Sequence, residues 1–319
     1  MNRNLLESDP SGPAASEVAT KAPAFALLLR TMRPRQWSKN LILFAALIFS
    51  RNLLDVTMLL RSAAACAVFC LLSGMVYTIN DLLDLQEDRL HATKRRRPLA
   101  SGALSPRLAI GSVVVVTLSA LILAGLIGPR FLFISVGFLV FNLAYSLYLK
   151  NVVILDVISI SISFIIRAIA GVVALNSLGM QLTISPWLLV VTFFLSLFLG
   201  LCKRRHEFIS MQNAAKHRVT LQAYSEELLN QLINMAATAT LIAYSIYTIW
   251  PDTKSHFGTD KLLYTIPFVV AGITRYMYLV YQQRLGGDPS EMLLTQPSLW
   301  ITVLAWFGSV AVIIYGARP

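Results

Sequence analysis

The chain has 319 residues, of which 56% are hydrophobic and 13% are charged, whereas soluble globular domains carry about 25% charged residues. This composition excludes a soluble globular protein and indicates a membrane protein. In such a chain the formal net charge of +11 reports membrane topology, and we therefore expect no nucleic-acid partner.

Apolar windows dominate the sequence after a polar start. Residues 1–21 lack the apolar core of a signal peptide and predict a disordered tail, which leaves residues 22–319 as one transmembrane domain. Windows of roughly 20 apolar residues, the length of a membrane-crossing helix, lie near residues 40–58, 62–80, 106–127, 131–149, 152–174, 186–202, 232–250, 262–282 and 298–316. The first window is the weakest because it contains Arg51 and Asp55. We expect an all-α polytopic protein with about nine transmembrane helices.

The basic residues predict the orientation of these spans. Nineteen of the 27 Lys and Arg residues fall on one side of the predicted spans, six fall on the other side, and Arg167 and Arg275 lie inside spans. The basic side, which includes the N-terminus, is expected to be cytoplasmic. Arg167 lies about 22 Å into its span, and we expect a structural role in which helix carbonyls or polar groups of other spans satisfy it.

Acidic residues form a ladder at the cytoplasmic end of the second span. Asn80, Asp84 and Asp88 are four residues apart, which predicts three oxygen-bearing side chains on one exposed helical face, with Asp81 at its flank. Like charges this close repel unless a cation lies between them. Oxygen ligands without His or Cys suit Mg²⁺, which usually serves a phosphate ligand. The alternative is a solvated helix end whose acids pair with the basic run 94–97.

That basic run extends the interpretation. Lys94, Arg95 and Arg97 follow the ladder directly, and Lys and Arg side chains can neutralise phosphate oxygens that a metal does not reach. The stretch from Tyr77 to Gly102 therefore predicts a diphosphate site at the membrane surface.

The motif NDLLDLQED at residues 80–88 resembles the first signature, NDxxDxxxD, of the UbiA-type membrane prenyltransferases. The likeness covers nearly the whole chain from Arg33 onward. It implies a helical bundle around a central cavity that opens laterally to lipid, with two charged cytoplasmic motifs above the cavity. Ordinary members carry a second Asp-rich cluster after helix six, whereas residues 201–208 read LCKRRHEF, with Glu207 as their one acid. This basic cluster suggests that Lys203, Arg204 and Arg205 meet phosphates directly.

Such a second motif is similar to that of one branch, the decaprenyl-phosphate 5-phosphoribosyltransferases. The further matches are RPRQWSKN (33–40), HATKRRRP (91–98), YSLYLK (145–150), IIRAIAGVVA (165–174) and GDPSE (287–291). The branch usually has Pro where Ala92 stands and Gly where Val172 stands. These departures concern loop geometry and helix packing, and they remove no charged residue.

The resemblance implies Mg²⁺-dependent transfer of 5-phosphoribosyl from 5-phosphoribose 1-diphosphate to a polyprenyl (decaprenyl) phosphate. It places the enzyme in a bacterial plasma membrane, with the active site facing the cytoplasm and a product used for cell-wall arabinan precursors. The sequence does not fix the oligomeric state, and a homo-oligomer is compatible with it.

The implied roles follow the motifs. The metal is held by Asn80, Asp84 and Asp88, with Asp81 as a further catalytic acid. The donor phosphates are bound by Lys94, Arg95 and Arg97, and the donor 5-phosphate or the acceptor phosphate is bound by Lys39, Lys150, Lys203 and Arg204. Tyr145 is a further substrate contact, and Glu207 contacts a ribose hydroxyl or orients the bases. His91 is expected to be a structural neighbour rather than an acid–base catalyst.

Two rival functions stay open at the level of sequence. A prenyltransferase that uses a prenyl diphosphate and an aromatic acceptor would need a second acidic cluster, which CKRRHE does not supply. A non-enzymatic lipid-phosphate transporter or scaffold would explain the basic face but not the acidic ladder.

Overall fold

The computed structural model describes residues 23–316 except residues 92, 212–220, 222 and 284, so the predicted tail at 1–21 and the departure at Ala92 lie outside the described residues. All regular elements in this part of the chain are helical. The α-helices are α1 (Ala24–Thr31), α2 (Ala45–Phe49), α3 (Val56–Leu83), α4 (Leu85–Leu90), α5 (Pro106–Ile127), α6 (Pro129–Leu147), α7 (Leu155–Asn176), α8 (Pro186–Met211), α9 (Glu226–Ile249), α10 (Pro251–Phe257), α11 (Ile266–Tyr281), α12 (Pro289–Thr295) and α13 (Pro297–Gly316). The 3₁₀ helices are Pro34–Phe44, Lys94–Arg96, Leu149–Asn151 and Lys261–Thr265.

Eight helical stretches in the described residues are long and apolar enough to cross a membrane. They are Val56–Leu83, Pro106–Ile127, Pro129–Asn151, Leu155–Asn176, Pro186–Ser210, Glu226–Ile249, Lys261–Tyr281 and Pro297–Gly316. Large apolar side chains such as Leu126 and Phe133 are 75% and 80% exposed on these helices, which suits a surface that faces lipid tails. The prediction of an all-α polytopic membrane protein is confirmed.

The first predicted span differs from the other eight. Instead of one helix over 40–58, the chain forms an eleven-residue 3₁₀ helix, Pro34–Phe44, followed by the five-residue α2. At 2.0 Å per residue in a 3₁₀ helix and 1.5 Å in an α-helix, this segment reaches about 30 Å. Arg33, just before it, donates to Asp81 near the end of α3, while Arg51, just after it, donates to the Ile314 carbonyl near the end of α13. The segment therefore crosses the bundle, with its helix ending at Phe49 and Arg51 bound to α13 just beyond it.

A glycine allows the 3₁₀ helix to lie against α7. A Cβ atom built on Gly171 would lie 2.3 Å from the Leu43 carbonyl oxygen, so the two backbones are in contact at this point. A 3₁₀ helix of this length is uncommon in proteins. The tertiary contact with α7 therefore contributes to its stability.

Asn40, a buried polar residue of the 3₁₀ helix, binds the intramembrane Arg167. Asn40 Oδ1 accepts from Arg167 Nε at 2.8 Å, and Asn40 Nδ2 donates to Cys70 Sγ at 3.3 Å. Arg167 Nη1 donates to the Ser163 carbonyl at 3.0 Å, and the guanidinium carbon lies 4.7 Å from the centre of the Phe138 ring. The expectation that a helix carbonyl and polar groups of another span satisfy Arg167 is confirmed.

Helix ends that carry charge meet at one end of the bundle. Lys150, between α6 and α7, contacts Asp84 at the end of α3, while Arg204 near the end of α8 contacts Asp156 at the start of α7. Both charged motifs are thereby collected at one end, which we call the charged end.

We expect Gly171→Ala to destabilise the fold, because the new methyl group must displace the Leu43 backbone. Overpacking of this kind costs about 1–3 kcal/mol. The measurement is the thermal unfolding midpoint of the detergent-solubilised protein. The matched control is Gly137→Ala, also inside a helix, where a built Cβ has no heavy atom within 4 Å. Equal midpoints for the two variants would contradict the close approach.

Candidate functional site

The acidic ladder is interrupted by a turn. Helix α3 ends at Leu83, Asp84 has φ −88° and ψ 10°, and α4 begins at Leu85. The Asp84 N–H still donates to the Asn80 carbonyl at 2.9 Å, and the Asp88 N–H donates to the Asp84 carbonyl at 2.8 Å. The predicted four-residue spacing is kept by these bonds, although the ladder is not one continuous helix.

Arg97 joins two buried carboxylates of the ladder. Its Nη1 donates to Asp81 Oδ1 at 3.1 Å and to Asp88 Oδ2 at 2.5 Å, and Arg33 Nη2 also donates to Asp81. Asp81 and Asp88 are 2% and 1% exposed, so Asp81 is central rather than flanking, and the expectation of an exposed position for Asp88 is wrong. Lys94 Nζ lies 3.8 Å from Asp88 Oδ1. The acids therefore do pair with the basic run, as the solvated-end alternative required, but in a buried setting.

Asp84 belongs to a separate ion pair. Its Oδ1 atom accepts from Lys150 Nζ at 2.9 Å, and its side chain is 30% exposed. Lys150 lies on the short 3₁₀ helix Leu149–Asn151 between α6 and α7. The structure thus brings Lys150 of YSLYLK to the first motif.

Two oxygen atoms of the ladder are buried without a hydrogen-bond partner among the described residues. They are Asn80 Oδ1 and Asp88 Oδ1. A buried acceptor left unsatisfied costs about 1–3 kcal/mol, and amide and carboxylate oxygens are the ligands that Mg²⁺ takes. These side-chain oxygens are therefore suitable ligands for a hard divalent ion. Within the described ranges no group of three or more His, Cys, Asp or Glu side chains is arranged to hold a metal, and Arg97 and Lys150 lie against the carboxylates of the ladder.

The second motif contains an arginine held by two acids. Arg204 Nε donates to Asp156 Oδ2 at 2.6 Å, and Arg204 Nη1 donates to Glu207 Oε2 at 2.5 Å. Arg204 is 3% exposed and Asp156 is fully buried. Tyr145 lies close enough to act electrostatically on Arg204. Of the predicted site residues, Arg204 and Glu207 are therefore in direct contact, and Arg204 is engaged by protein carboxylates.

Tyr224 completes this group from the segment before α9. Its hydroxyl donates to Asp156 Oδ1 at 2.9 Å and accepts from the Ile154 N–H at 2.7 Å. Burial, together with the Asp156 charge, raises the pKa of Tyr224 to about 12. The hydroxyl therefore stays protonated and remains a donor at neutral pH.

Arg205 is used in helix packing. Its Nη2 donates to Glu226 Oε1 and its Nε donates to Asn230 Oδ1, each at 2.7 Å, and its guanidinium carbon lies 4.5 Å from the centre of the Tyr281 ring. These contacts join α8 to α9 and α11. Nε, Nη1 and Nη2 of Arg205 therefore each donate to a protein group, and its direct contact with a phosphate stays a prediction.

Two lysines have weaker ties to acids. Within the described part of the chain, Lys203 has no carboxylate oxygen within 4.0 Å, and the charges that act on it are those of Glu207, Lys39, Asp288 and Arg204. Lys39 Nζ lies 4.0 Å from Asp288 Oδ2, which also accepts from Gln36 Nε2 at 2.8 Å. The segments RPRQWSKN and GDPSE therefore meet beside the second motif.

Sequence reasoning missed four contributors to the charged end. They are Arg33, Asp156, Tyr224 and Asp288. Arg33 and Asp288 lie in matched segments, so the matches themselves were the available signal. Asp156 and Tyr224 lie outside the matched segments, so no motif pointed to them.

The remaining residues of the basic loop differ in their surroundings. His91 Nδ1 accepts from the Thr93 N–H at 3.2 Å, which agrees with a structural role. Arg95 is exposed on the 3₁₀ helix Lys94–Arg96.

Comparisons with known proteins were made for sequence and for fold. The sequence profile described as the UbiA prenyltransferase family matches residues 41–294. The chain is 32% identical to the decaprenyl-phosphate phosphoribosyltransferase of Mycolicibacterium smegmatis, over 90% of this chain and 92% of that protein. It is 31% identical to the protein of the same name from Corynebacterium glutamicum, over 98% of this chain and 95% of that protein.

A solved structure shares the fold. The UbiA homolog from Archaeoglobus fulgidus bound to GPP and Mg²⁺ superposes with a TM-score of 0.65 at 20% identity, covering 89% of this chain and 99% of that chain. The family profile covers most of the chain, and the relatives match it nearly end to end. The chain therefore belongs to the UbiA prenyltransferase family and is a membrane transferase.

Proposed function

We propose that the protein transfers the 5-phosphoribosyl group of 5-phosphoribose 1-diphosphate to a polyprenyl phosphate and releases pyrophosphate, in a Mg²⁺-dependent reaction. The relatives that are 31% and 32% identical carry the name decaprenyl-phosphate phosphoribosyltransferase, which supports both the donor and the acceptor. The observation that carries the proposal concerns the ion pairs of the second motif. Asp156 and Glu207 both bind Arg204, while Lys203 has no ion pair in the part of the chain that is described.

The first motif is the proposed site of the donor diphosphate. Three carboxylates there lie against the four cations Arg33, Lys94, Arg97 and Lys150, which leaves an excess positive charge for an anionic ligand. The oxygens of Asn80, Asp84 and Asp88 are the proposed ligands of Mg²⁺, because Mg²⁺ prefers amide and carboxylate oxygens. When bound, Mg²⁺ would supply charge neutralisation to the departing pyrophosphate.

The chain's own residues then have to hold an anionic acceptor near the sugar. Lys39 and Lys203 are the proposed contacts of the acceptor phosphate, because neither is held by a carboxylate of the described residues as closely as the arginines are. The acceptor oxygen attacks C1 of ribose, and the bond from C1 to the diphosphate oxygen breaks through an oxocarbenium-like state. This oxygen is already anionic at neutral pH, so no general base is required. Glu207 is proposed to orient the second motif, since it accepts from Arg204.

The proposed location follows from the substrates and the charge distribution. The donor is water-soluble, and the sequence assigns nineteen of the 27 basic residues to the same side of the predicted spans as the two motifs, so we propose that the active site faces the cytoplasm at a bacterial plasma membrane. The polyprenyl tail would remain in the lipid or in an apolar cavity between the helices. We propose that the product is a precursor of cell-wall arabinan.

The first test concerns the ladder. Asp84→Asn is expected to reduce turnover by orders of magnitude, because it removes a metal-binding charge and the partner of Lys150 from a partly exposed position. Asp88→Asn should do the same, but it also removes a partner of Arg97 from a buried pair. The assay supplies labelled donor and a polyprenyl phosphate to purified protein, with and without EDTA.

Asp252→Asn provides the matched control, since Asp252 is an exposed acid on α10, away from the charged end. It should keep wild-type activity. Full activity of Asp84→Asn and Asp88→Asn at any Mg²⁺ concentration would remove the ladder from the mechanism.

Lys203→Ala tests the second motif. Losing one charge-assisted contact costs about 1.5–3 kcal/mol, so kcat/KM should fall roughly ten- to a hundredfold. The Mg²⁺ requirement should not change, because the proposed ligands lie on the first motif. Lys254→Ala is the control, since Lys254 is exposed on α10. An unaltered Lys203→Ala would contradict the proposed contact.

Donor choice separates the proposal from its rivals. The wild-type protein should form product from 5-phosphoribose 1-diphosphate and polyprenyl phosphate, and none from a prenyl diphosphate and an aromatic acceptor. Activity restricted to the prenyl diphosphate would establish the prenyltransferase alternative instead. No product from either donor, together with bound lipid phosphate, would favour the transporter.

A further inference from the structure

A strained turn lies directly before α7. Ile154 has φ +72° and ψ −46°, a left-handed conformation that β-branched residues rarely adopt. The Asp156 N–H donates to the Val152 carbonyl at 3.0 Å, which closes the turn around Ile154. The Ile154 side chain is 42% exposed, so its own burial does not offset the strain. Other contacts must hold this backbone.

Tyr224 makes the contact that holds the turn. Its hydroxyl accepts from the Ile154 N–H at 2.7 Å and donates to Asp156 Oδ1 at 2.9 Å. Asp156 is fully buried and accepts from Arg204 Nε at 2.6 Å through its other oxygen. We call Tyr224, Asp156 and Arg204, together with the Ile154 N–H, the Tyr224 clamp.

The clamped turn also fixes the end of the 3₁₀ helix that carries Lys150. The 3₁₀ helix Leu149–Asn151 comes just before the turn, and the Val152 N–H donates to the Leu149 carbonyl at 3.1 Å. Lys150 reaches from this 3₁₀ helix to Asp84 at 2.9 Å. A change at Ile154 would therefore alter the path of the backbone that presents the Lys150 ammonium to the first motif.

We propose that Tyr224 is a positioning residue, which holds the strained turn at Ile154 so that Lys150 lies against Asp84 and the donor diphosphate. The inference deepens the proposed function, because it rests on Lys150 as a phosphate contact. Arg204 then acts through Asp156 and Tyr224, and it supplies position rather than charge to the ligand. The second motif thereby sets the geometry of the first.

A double-mutant cycle tests this role. Tyr224→Phe keeps the ring but can neither accept from Ile154 nor donate to Asp156, and loss of a hydrogen bond to a charged group should lower kcat/KM for the donor by about tenfold. Lys150→Met should lower it as well. In the double variant we expect the loss of Lys150→Met alone, because the position of this side chain no longer matters once its charge is gone. Losses that multiply would overturn the positioning role.

The matched control is Tyr244→Phe. Tyr244 is another buried tyrosine of the α9 region, and its hydroxyl bonds Thr265 at 2.6 Å and Trp306 at 2.8 Å. Its removal perturbs packing without touching the clamp, so any effect should multiply with that of Lys150→Met. A cycle for Tyr244 with the same saturation as that for Tyr224 would overturn the inference, since it would reflect general destabilisation.

Relief of the strain gives a second measurement. Ile154→Gly removes the cost of a positive φ, because glycine adopts this conformation readily. In the Ile154→Gly background Tyr224→Phe should change kcat/KM by less than about twofold, which is close to no coupling. The same background also serves if Tyr224→Phe alone does not fold. A tenfold loss that persists there would contradict the clamp.

An activity-independent readout separates this inference from the proposed function. Lys150, whose side chain is 20% exposed, can be labelled with an amine-reactive acylating reagent and quantified by peptide mass spectrometry. Labelling should rise severalfold in Tyr224→Phe and stay at the wild-type level in Tyr244→Phe. Equal labelling in all three proteins would overturn the clamp, whereas absent phosphoribosyl transfer with this labelling pattern would overturn only the proposed function.

Discussion

Arg97 between Asp81 and Asp88 is the interaction on which the charged end depends. Two carboxylates that are almost fully buried in a membrane protein are tolerable only when cations and hydrogen bonds compensate them. The guanidinium does this for both acids and so ties the basic loop back onto α3. Leu99 and Leu104, which follow it in that loop, are 1% exposed and pack with Leu27 and Leu28 of α1. The ion pairs of Arg97 and this small apolar cluster together hold the basic loop against the bundle, so the loop is packed rather than extended into solvent.

The two motifs are joined by the chain segment from Arg33 to Phe44, which contacts both of them. Arg33 at its start pairs with Asp81 of the first motif, and Lys39 lies beside Asp288 and Lys203 at the second. The intervening backbone is the unusual 3₁₀ helix, whose close approach to Gly171 keeps it in place. A displacement of this helix would therefore separate the proposed donor and acceptor contacts, although Lys39 is the one contact that it bears.

Much of the fold could be predicted from the sequence, because span length and apolar composition are strong local signals. Eight windows became long helices, and Arg51 correctly marked the first window as irregular. The 3₁₀ geometry could not be predicted, since it depends on a contact with Gly171, far along the chain. The types of site residue were likewise readable from motifs, whereas their pairing was not. The burial of Asp88 depends on a fold-back of its own loop.

Arginine and lysine divide the work of the charged end. Arg33, Arg97 and Arg204 contact carboxylates at distances of 2.5–3.1 Å, and the planar fork of a guanidinium suits such fixed pairs. Lys39 and Lys94 lie 4.0 and 3.8 Å from their acids, whereas Lys150 is held as closely as the arginines, at 2.9 Å from Asp84. An ammonium on a flexible stem can leave a loosely held carboxylate for a phosphate at little cost in geometry. In the proposed transfer two phosphate-bearing substrates would bind and leave in every cycle, and such a site requires a frame kept in place by close ion pairs together with loosely held lysines that can move to the ligand.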